Sequence, residues 1–248
     1  MRWGRRRIRA PTPSFASRVE RMTTSSVVPV GLRNGIEIND PLRVVLGYLE
    51  SWRFEIGDRS FSFEEADLRL ANRGGARISA AEIAAILARR PTIQRALQTI
   101  APDASLTGAA TSVPWQPLGQ LFEAFADIRG VGFAKMTKAL HPKRPALIPM
   151  LDSVVRRYLA ADDPGDQALF GERALALVRG YKRDLDLNRV AVRALRQELV
   201  RRGYDLSEVR IVDLLIWSVE VPPRDERCSP TTPAADRTTR RTGTSSSS

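Results

Sequence analysis

Apolar residues recur at helical spacing along most of the chain. In the segment DPLRVVLGYLESW, Asp40 is placed to cap a helix and Pro41 suits its first position. The apolar residues of the segment fall on one face of a helix: Leu42, Val45, Leu46, Leu49 and Trp52. The pattern therefore predicts an amphipathic helix that packs on a hydrophobic core.

Two capping boxes follow this first helix. The pairs are Ser62 with Glu65 and Ser79 with Glu82. At this spacing the serine side chain caps the helix and the glutamate side chain accepts the backbone N–H of the serine. The two helices should end in the turn at 72–75 and at Pro91, and a shorter helix follows. Further helices are predicted over 117–128, 153–160, 166–181, 187–202 and 207–220, with a loop over 101–116. A strand or hairpin is suggested only by GDRSFSF, around Gly57.

The two ends of the chain differ in composition from its middle. Residues 1–35 show no sustained period, and residues 222–248 are rich in Pro, Thr, Ser and Arg and poor in apolar side chains. We therefore expect a disordered basic arm over 1–35, a single all-α domain over 36–221 and a disordered tail over 222–248.

The net charge of +11 is concentrated toward the ends of the chain. Residues 1–40 carry eight Arg against three acids, and residues 221–248 carry five Arg against three acids. These segments contribute +5 and +2, which leaves +4 for the middle. Non-specific attraction to nucleic acid can come from such tails alone, so a basic chain does not by itself identify a DNA-binding fold.

Several classes of protein are disfavoured by composition. Cys228 and His141 are the sole cysteine and histidine, which leaves no four-ligand Cys/His zinc site. The longest apolar runs are about half of the roughly 20 residues that a membrane helix needs. No Walker motif or nucleophile elbow appears. We expect no metal, no cofactor and no membrane association, and a cytoplasmic protein of a bacterial cell.

The most informative stretch is IRGVGFAKMTKALHPKRPALIPMLD, residues 128–152. It places three of the four lysines of the chain within nine residues, beside two closely spaced glycines. A tight Gly-apolar-Gly turn before a helix lets backbone N–H groups approach an anion such as a phosphate. Lys135 and Lys138 are three apart and share a helix face. The candidate phosphate-binding set is Arg129, Gly130, Val131, Gly132, Lys135 and Lys138.

This arrangement resembles a helix-hairpin-helix DNA-binding motif at about 117–141. The glycosylases of the helix-hairpin-helix superfamily continue through a Gly/Pro loop to an aspartate at the start of the next helix. Here the loop carries Pro142, Pro145 and Pro149, and Asp152 follows Gly132 by twenty residues. The resemblance covers about forty residues and implies a helical glycosylase-like fold.

The resemblance assigns Asp152 the place of the catalytic carboxylate, which stabilises an oxocarbenium ion at the sugar. Lyase-competent members carry a Schiff-base lysine at the position that Ala134 occupies here, and Lys135 lies about 100° further around the helix. A lyase is therefore disfavoured, and a monofunctional glycosylase is what the resemblance leaves. Aspartate is also a favoured N-cap, so a role of Asp152 as a cap alone stays open as the alternative interpretation.

A second resemblance covers most of residues 36–221. The segments RPALIPMLDSVVR and RIVDLLIWS are similar to a bacterial family known only as a domain of unknown function. Within the second segment Asp213 lies in an apolar helix, where Arg210 is a candidate structural partner.

Three functions stay open on the sequence. The first is a DNA-binding protein on a glycosylase-like scaffold, which holds phosphates at the Gly130-Val131-Gly132 hairpin. The second is a monofunctional base-excision glycosylase that uses Asp152. The third is an interaction protein that does not bind DNA, in which the hairpin is only a structural turn.

Overall fold

The computed structural model describes residues 28–51 and 58–221, and within these ranges the protein is mostly helical. The tails predicted to be disordered lie outside the described residues, except for residues 28–35. The α-helices of the described part are α1 Pro41–Ser51, α2 Glu65–Arg73, α3 Ala80–Ala88, α4 Arg90–Gln98, α5 Trp115–Glu123, α6 Phe133–Leu140, α7 Ser153–Tyr158, α8 Phe170–Leu187, α9 Arg189–Arg201 and α10 Glu208–Glu220.

A small antiparallel hairpin precedes the helices. Strand β1, Val30–Gly31, pairs with β2, Glu37–Ile38, so that Val30 lies opposite Ile38. Val30 is fully buried in the same core as the helices. The predicted domain boundary at residue 36 therefore falls inside this hairpin. In the GDRSFSF segment, residues 58–63 form no strand, and Gly57 lies outside the described residues.

Arg33 connects this hairpin to the helices through hydrogen bonds and ion pairs. Its guanidinium donates to Asp184 at 2.6 Å, to the carbonyl oxygen of Gly180 at 2.8 Å and to Asp162. Its own backbone N–H donates to the Tyr158 hydroxyl at 3.0 Å. An arginine with these partners holds three separate segments together through charge-assisted hydrogen bonds.

Three predicted helix starts are confirmed by hydrogen bonds. The Asp40 carboxylate accepts the backbone N–H of Arg43 at 3.0 Å, and the Ser207 hydroxyl accepts that of Arg210 at 3.0 Å. Ser79 and Glu82 form the expected reciprocal capping box at the start of α3. These caps depend on neighbouring residues only, which is why the sequence reveals them.

Several local predictions are wrong. The helix predicted over 117–128 is α5, which ends at Glu123, and the helix predicted from residue 166 begins at Phe170. The Ser62 and Glu65 pair does not open α2, because Glu64 is the N-cap and the Asp67 carboxylate accepts its N–H at 2.8 Å. The predicted break near residue 182 is absent, and α8 continues to Leu187 before Asn188 separates it from α9. Side chains of α8 that pack on neighbouring helices keep the segment helical through its charged residues.

The helices of the described part pack around one hydrophobic core. Helix α5 packs along α8, and α10 packs against both α1 and α7. Helix α6 packs against α2, and the turn between α2 and α3 lies beside the side chain of Lys138 of α6. Among the described residues no helix is long and apolar enough to cross a membrane.

Candidate nucleic-acid interface and adjoining cleft

A tight turn joins α5 to α6 at the two glycines. The Val131 N–H donates to the Ile128 carbonyl oxygen at 3.0 Å, and Gly130 adopts a φ of +81°. Gly132 is extended and forms the N-cap of α6. Positive φ strains any residue with a Cβ, so the turn requires glycine at 130.

The outer surface of this hairpin is open. Arg129, Gly130 and Gly132 are exposed, whereas the side chain of Val131 is buried in the core. A Cβ built on Gly132 would meet no atom within 4 Å. The first N–H groups of an α-helix lack intrahelical acceptors and carry the positive end of its dipole, so the start of α6 favours an anion.

Glu82 of α3 lies directly against this hairpin. Its two carboxylate oxygens each accept a hydrogen bond of 2.7 Å from Lys135 Nζ, and one also accepts the N–H of Ser79. A Cβ on Gly130 would clash with the same carboxylate. The hydrogen bond from Lys135 is the main reason that the pKa of Glu82 lies below its ordinary value. The positive charge of Lys135 is thus neutralised beside the turn. Glycine at position 130 suits the positive φ and also leaves room for the Glu82 carboxylate.

Lys138 occupies the same face of α6, as the spacing predicts, but this face packs on the segment between α2 and α3. Its Nζ donates to the carbonyl oxygens of Gly74 at 3.2 Å and Gly75 at 3.4 Å. Burial lowers the pKa of Lys138, and the nearby charge of Asp152 opposes that shift. Of the predicted phosphate-binding residues, Arg129 and the glycines form the open surface, while Lys138 lines an adjoining cleft.

Asp152 caps α7 and lines the same cleft. Its Oδ1 accepts the N–H groups of Val154 and Val155 at 3.0 and 3.1 Å, and its Oδ2 accepts the indole N–H of Trp217 at 3.1 Å. The residue is 7% exposed, and that exposure faces a cleft of about 870 Å³. The Asp152 carboxylate therefore both caps a helix and lines a cavity, two roles that the sequence presents as alternatives.

The cleft lies between α6, the α2–α3 turn and α10. Its lining combines apolar and aromatic groups with nine charged residues of both signs. The residues that line its inner part include Tyr48, Lys138, His141, Met150, Asp152, Arg210 and Trp217.

Asp213 and Arg210 form the buried pair that the sequence suggested. Arg210 Nη1 lies 3.8 Å from Asp213 Oδ2, and the Met150 N–H donates to that oxygen at 3.3 Å. Burial raises the pKa of Asp213 to about 7, against the attraction of Arg210. Burial thus favours the protonated form of this carboxyl, and the positive charge of Arg210 favours the ionised form.

His141 is buried at the end of α6. Its Nδ1 lies 2.6 Å from the Ile148 carbonyl oxygen, which can only accept, so Nδ1 carries the proton of the neutral ring. Burial lowers the pKa of His141 to about 4. A neutral imidazole therefore contributes a polar wall, and no charge, to the cleft at pH 7.

Sequence reasoning missed the role of one residue in this group. Helical spacing indicates that Trp217 is a core residue, whereas its N–H orients Asp152 from 65 positions away. No local pattern reports a contact over such a separation. Within the described residues, no group of three or more His, Cys, Asp or Glu side chains has an arrangement that would hold a metal ion.

The fold and site define a mainly helical protein with an exposed Gly-Val-Gly hairpin beside a polar cleft. Residues 60–220 match the model of a family of unknown function, DUF6308, and the chain belongs to this family. The sequence resemblance to a domain of unknown function is confirmed in this form. No curated protein and no solved structure matches the chain.

Proposed function

We propose that this protein binds DNA and holds backbone phosphates at the Gly130-Val131-Gly132 hairpin. The observation that carries the proposal is the open approach to Gly132, where the N-terminal amides of α6 are reachable without collision. Backbone amides at a helix N-terminus bind phosphate without reading sequence, so we expect weak sequence preference.

The cations around the hairpin supplement these amides. Arg129 is exposed and forms no ion pair with the described residues. Arg156 is also exposed, and its guanidinium lies 5.1 Å from the centre of the ring of Phe133, the first residue of α6. Lys135 contributes less charge than its position suggests, because Glu82 neutralises it. The phosphate contacts therefore fall to the amides and to Arg129, with Arg156 nearby.

The test is duplex-DNA binding by a Gly132→Val variant. The backbone at Gly132 is extended and its Cβ position is open, so valine should preserve the fold while blocking a phosphate. Gly31→Val is the matched control, because a Cβ there also meets nothing within 4 Å. Binding is measured across a salt series for the full chain and for residues 28–221, with folding checked by circular dichroism.

If the hairpin binds about three phosphates, the log of the affinity should fall with the log of the salt concentration with a slope near −3. Gly132→Val should weaken binding at least tenfold, and Gly31→Val should leave it unchanged. If the two variants bind DNA with equal affinity, the hairpin does not hold phosphates and the binding comes from basic segments such as the tails. The hairpin would then be only a turn in an interaction protein.

A second candidate is a monofunctional base-excision glycosylase on the same scaffold. It is favoured by the position of Asp152, whose carboxylate faces the cleft and accepts three N–H groups that suit a negative charge. Such a carboxylate would stabilise positive charge that develops on a deoxyribose. Ala134 occupies the position of the lyase lysine, so the nucleophile in this scheme is water.

Asp152→Asn tests this candidate on duplexes that contain damaged bases. Asparagine retains an oxygen that caps α7, so DNA affinity should stay near that of the wild type while any excision is lost. Equal excision by the wild type and the variant would remove Asp152 from the mechanism.

A further inference from the structure

His141 presents one ring nitrogen to the cleft. Its Nδ1–H is directed at the Ile148 carbonyl oxygen at 2.6 Å, so the lone pair of the neutral ring lies on Nε2. The residue is only 7% exposed, and it lines the cleft. Nε2 accepts no hydrogen bond from the described residues and remains in contact with the cavity. It is therefore an acceptor that an N–H or O–H group of a ligand can use.

Glu208 is a second acceptor in the cleft lining that lacks a donor. Its side chain is 10% exposed and belongs to the first turn of α10. Oε1 lies 4.0 Å from Arg193 Nε, and Oε2 is buried and accepts no hydrogen bond from the part of the chain that the structure describes. A buried carboxylate oxygen without a donor is unfavourable, so the lining is short of hydrogen-bond donors.

Lys138 and Asp152 carry opposite charges in this cleft but do not pair with each other. The Lys138 ammonium group donates to two backbone carbonyl oxygens, and the Asp152 carboxylate accepts three N–H groups. Neither side chain forms an ion pair within residues 28–51 and 58–221. Burial lowers the pKa of Lys138, and the charge of Asp152 opposes that shift, so the two groups are near each other. Each therefore remains available to a group of opposite charge on a ligand.

The charges of the whole lining nearly balance. Five basic and four acidic residues line the cleft, and one of the basic ones, Arg210, already lies 3.8 Å from Asp213. A ligand with a large net charge of either sign would find no excess of the opposite sign here. A ligand that carries one group of each sign matches the lining better.

An apolar surface adjoins these polar groups. Tyr48, Met150, Leu214 and Trp217 line the cleft. The Trp217 ring is held by the hydrogen bond from its N–H to Asp152 at 3.1 Å. An indole ring beside a carboxylate can pack against an apolar side chain and also against an ammonium group. The cavity of about 870 Å³ is within the range of small-ligand sites.

We propose that the cleft binds a small zwitterion with an apolar side chain, either a free α-amino acid or a short peptide. The carboxylate of the ligand pairs with Lys138, its ammonium group lies at Asp152 and donates to His141 Nε2, and its side chain packs against Trp217. An ammonium group supplies the donors that the lining lacks, and a carboxylate supplies the partner that Lys138 lacks. The site is separate from the hairpin and does not depend on the hairpin binding DNA.

Isothermal titration calorimetry of the full chain with phenylalanine, phenylalaninamide and N-acetylphenylalanine tests the site. The amide lacks the carboxylate and the acetyl compound lacks the ammonium group. Each should therefore bind at least tenfold more weakly than phenylalanine. Absence of phenylalanine binding, or affinity for either singly charged compound equal to that for phenylalanine, would overturn the proposal.

Two variants test the contact between Lys138 and the carboxylate. Lys138→Met should weaken phenylalanine binding at least tenfold and leave phenylalaninamide binding nearly unchanged. Arg129→Met removes an equal charge outside the cleft, so it should leave the binding of both compounds unchanged. Circular dichroism checks the folding of both variants. Equal losses of phenylalanine binding in the two variants would contradict the proposal.

Nitrogen NMR tests the ammonium contact without a variant, because His141 is the sole histidine of the chain. The Nε2 resonance should move when phenylalanine is added, since a donor then reaches its lone pair. N-acetylphenylalanine has no ammonium group and should leave the resonance in place. A resonance that does not move at saturating phenylalanine would refute the contact with His141.

Phenylalanylalanine distinguishes the two sources of such a ligand. Tighter binding of this dipeptide than of phenylalanine identifies a short peptide, and the reverse order identifies a free amino acid. Gly132→Val should retain phenylalanine binding while it loses DNA binding. Failure of the hairpin proposal and failure of this one therefore give different results.

Discussion

The indole N–H of Trp217 donates to Oδ2 of Asp152 at 3.1 Å, and the other oxygen of that carboxylate caps α7. One side chain of α10 thereby fixes the orientation of an acid at the start of α7. This relationship sets the wall of the cleft, because rotation of the Asp152 carboxylate would break three hydrogen bonds at once.

Trp217→Phe should destabilise the protein by about 1.5–3 kcal/mol, since it removes a donor to a buried carboxylate and also some packing. Trp115→Phe is the matched control, because the Trp115 indole N–H donates to the uncharged carbonyl oxygen of Ala110 at 2.9 Å. That variant should cost only about 0.5–1.5 kcal/mol. Urea unfolding measures both, and a larger loss for Trp115→Phe would contradict the role given to Trp217.

Glu82→Gln should strengthen DNA binding if the hairpin holds phosphates. Glutamine still serves the capping box with Ser79, but it no longer neutralises Lys135. The released charge should make the salt dependence steeper by about one unit of slope. Glu65→Gln removes a carboxylate paired with Arg69 on α2 and should have no such effect. An unchanged slope for Glu82→Gln would count against phosphate contact beside Lys135.

Arg144→Lys should destabilise the protein by more than about 3 kcal/mol. The Arg144 guanidinium is fully buried and donates to carbonyl oxygens that include those of Leu97 and Ile100, where α4 ends. Lysine cannot reproduce the planar fork, so buried carbonyl groups would lose their donors.

Arg95→Lys is the control for this substitution, because the Arg95 side chain is exposed and makes only long hydrogen bonds, to the Pro91 carbonyl oxygen at 3.3 Å and to the Thr92 hydroxyl at 3.4 Å. We expect a change within about 0.5 kcal/mol for it. Similar midpoints of urea unfolding for the Arg144 and Arg95 variants would show that the buried contacts contribute little.

Asp213→Asn should change how stability depends on pH. The pKa of Asp213 is raised from 3.8 to about 7 by burial, so the folded state favours the protonated carboxyl. Wild-type stability relative to the variant should therefore be largest near pH 4 and fall as pH rises toward 7, by up to about 1.4 kcal/mol per pH unit. Urea unfolding of both proteins at pH 5 and pH 7 tests this, and a difference that grows with pH would refute it.

Local patterns predicted most helices but not the positions of their ends. The Asp40, Ser79 and Ser207 caps are visible in the sequence because each capping oxygen accepts a backbone N–H only three residues further along the chain. The length of α8 was not predictable in this way, since burial of Tyr181 and Leu185 keeps the helix continuous to Leu187. Packing of this kind depends on residues that are remote in the chain.

In the candidate site, too, some features follow from neighbouring residues and others from contacts between remote segments. The sequence by itself determined the Gly-Val-Gly turn, the helix that follows it and Asp152 as a residue that begins a helix, because backbone geometry and capping act over a few residues. Only the tertiary structure decided that Glu82 neutralises Lys135, that Lys138 faces a cleft and that Trp217 orients Asp152. These partners come from helices separated by more than fifty positions, and they meet because burial of the apolar faces brings those helices together.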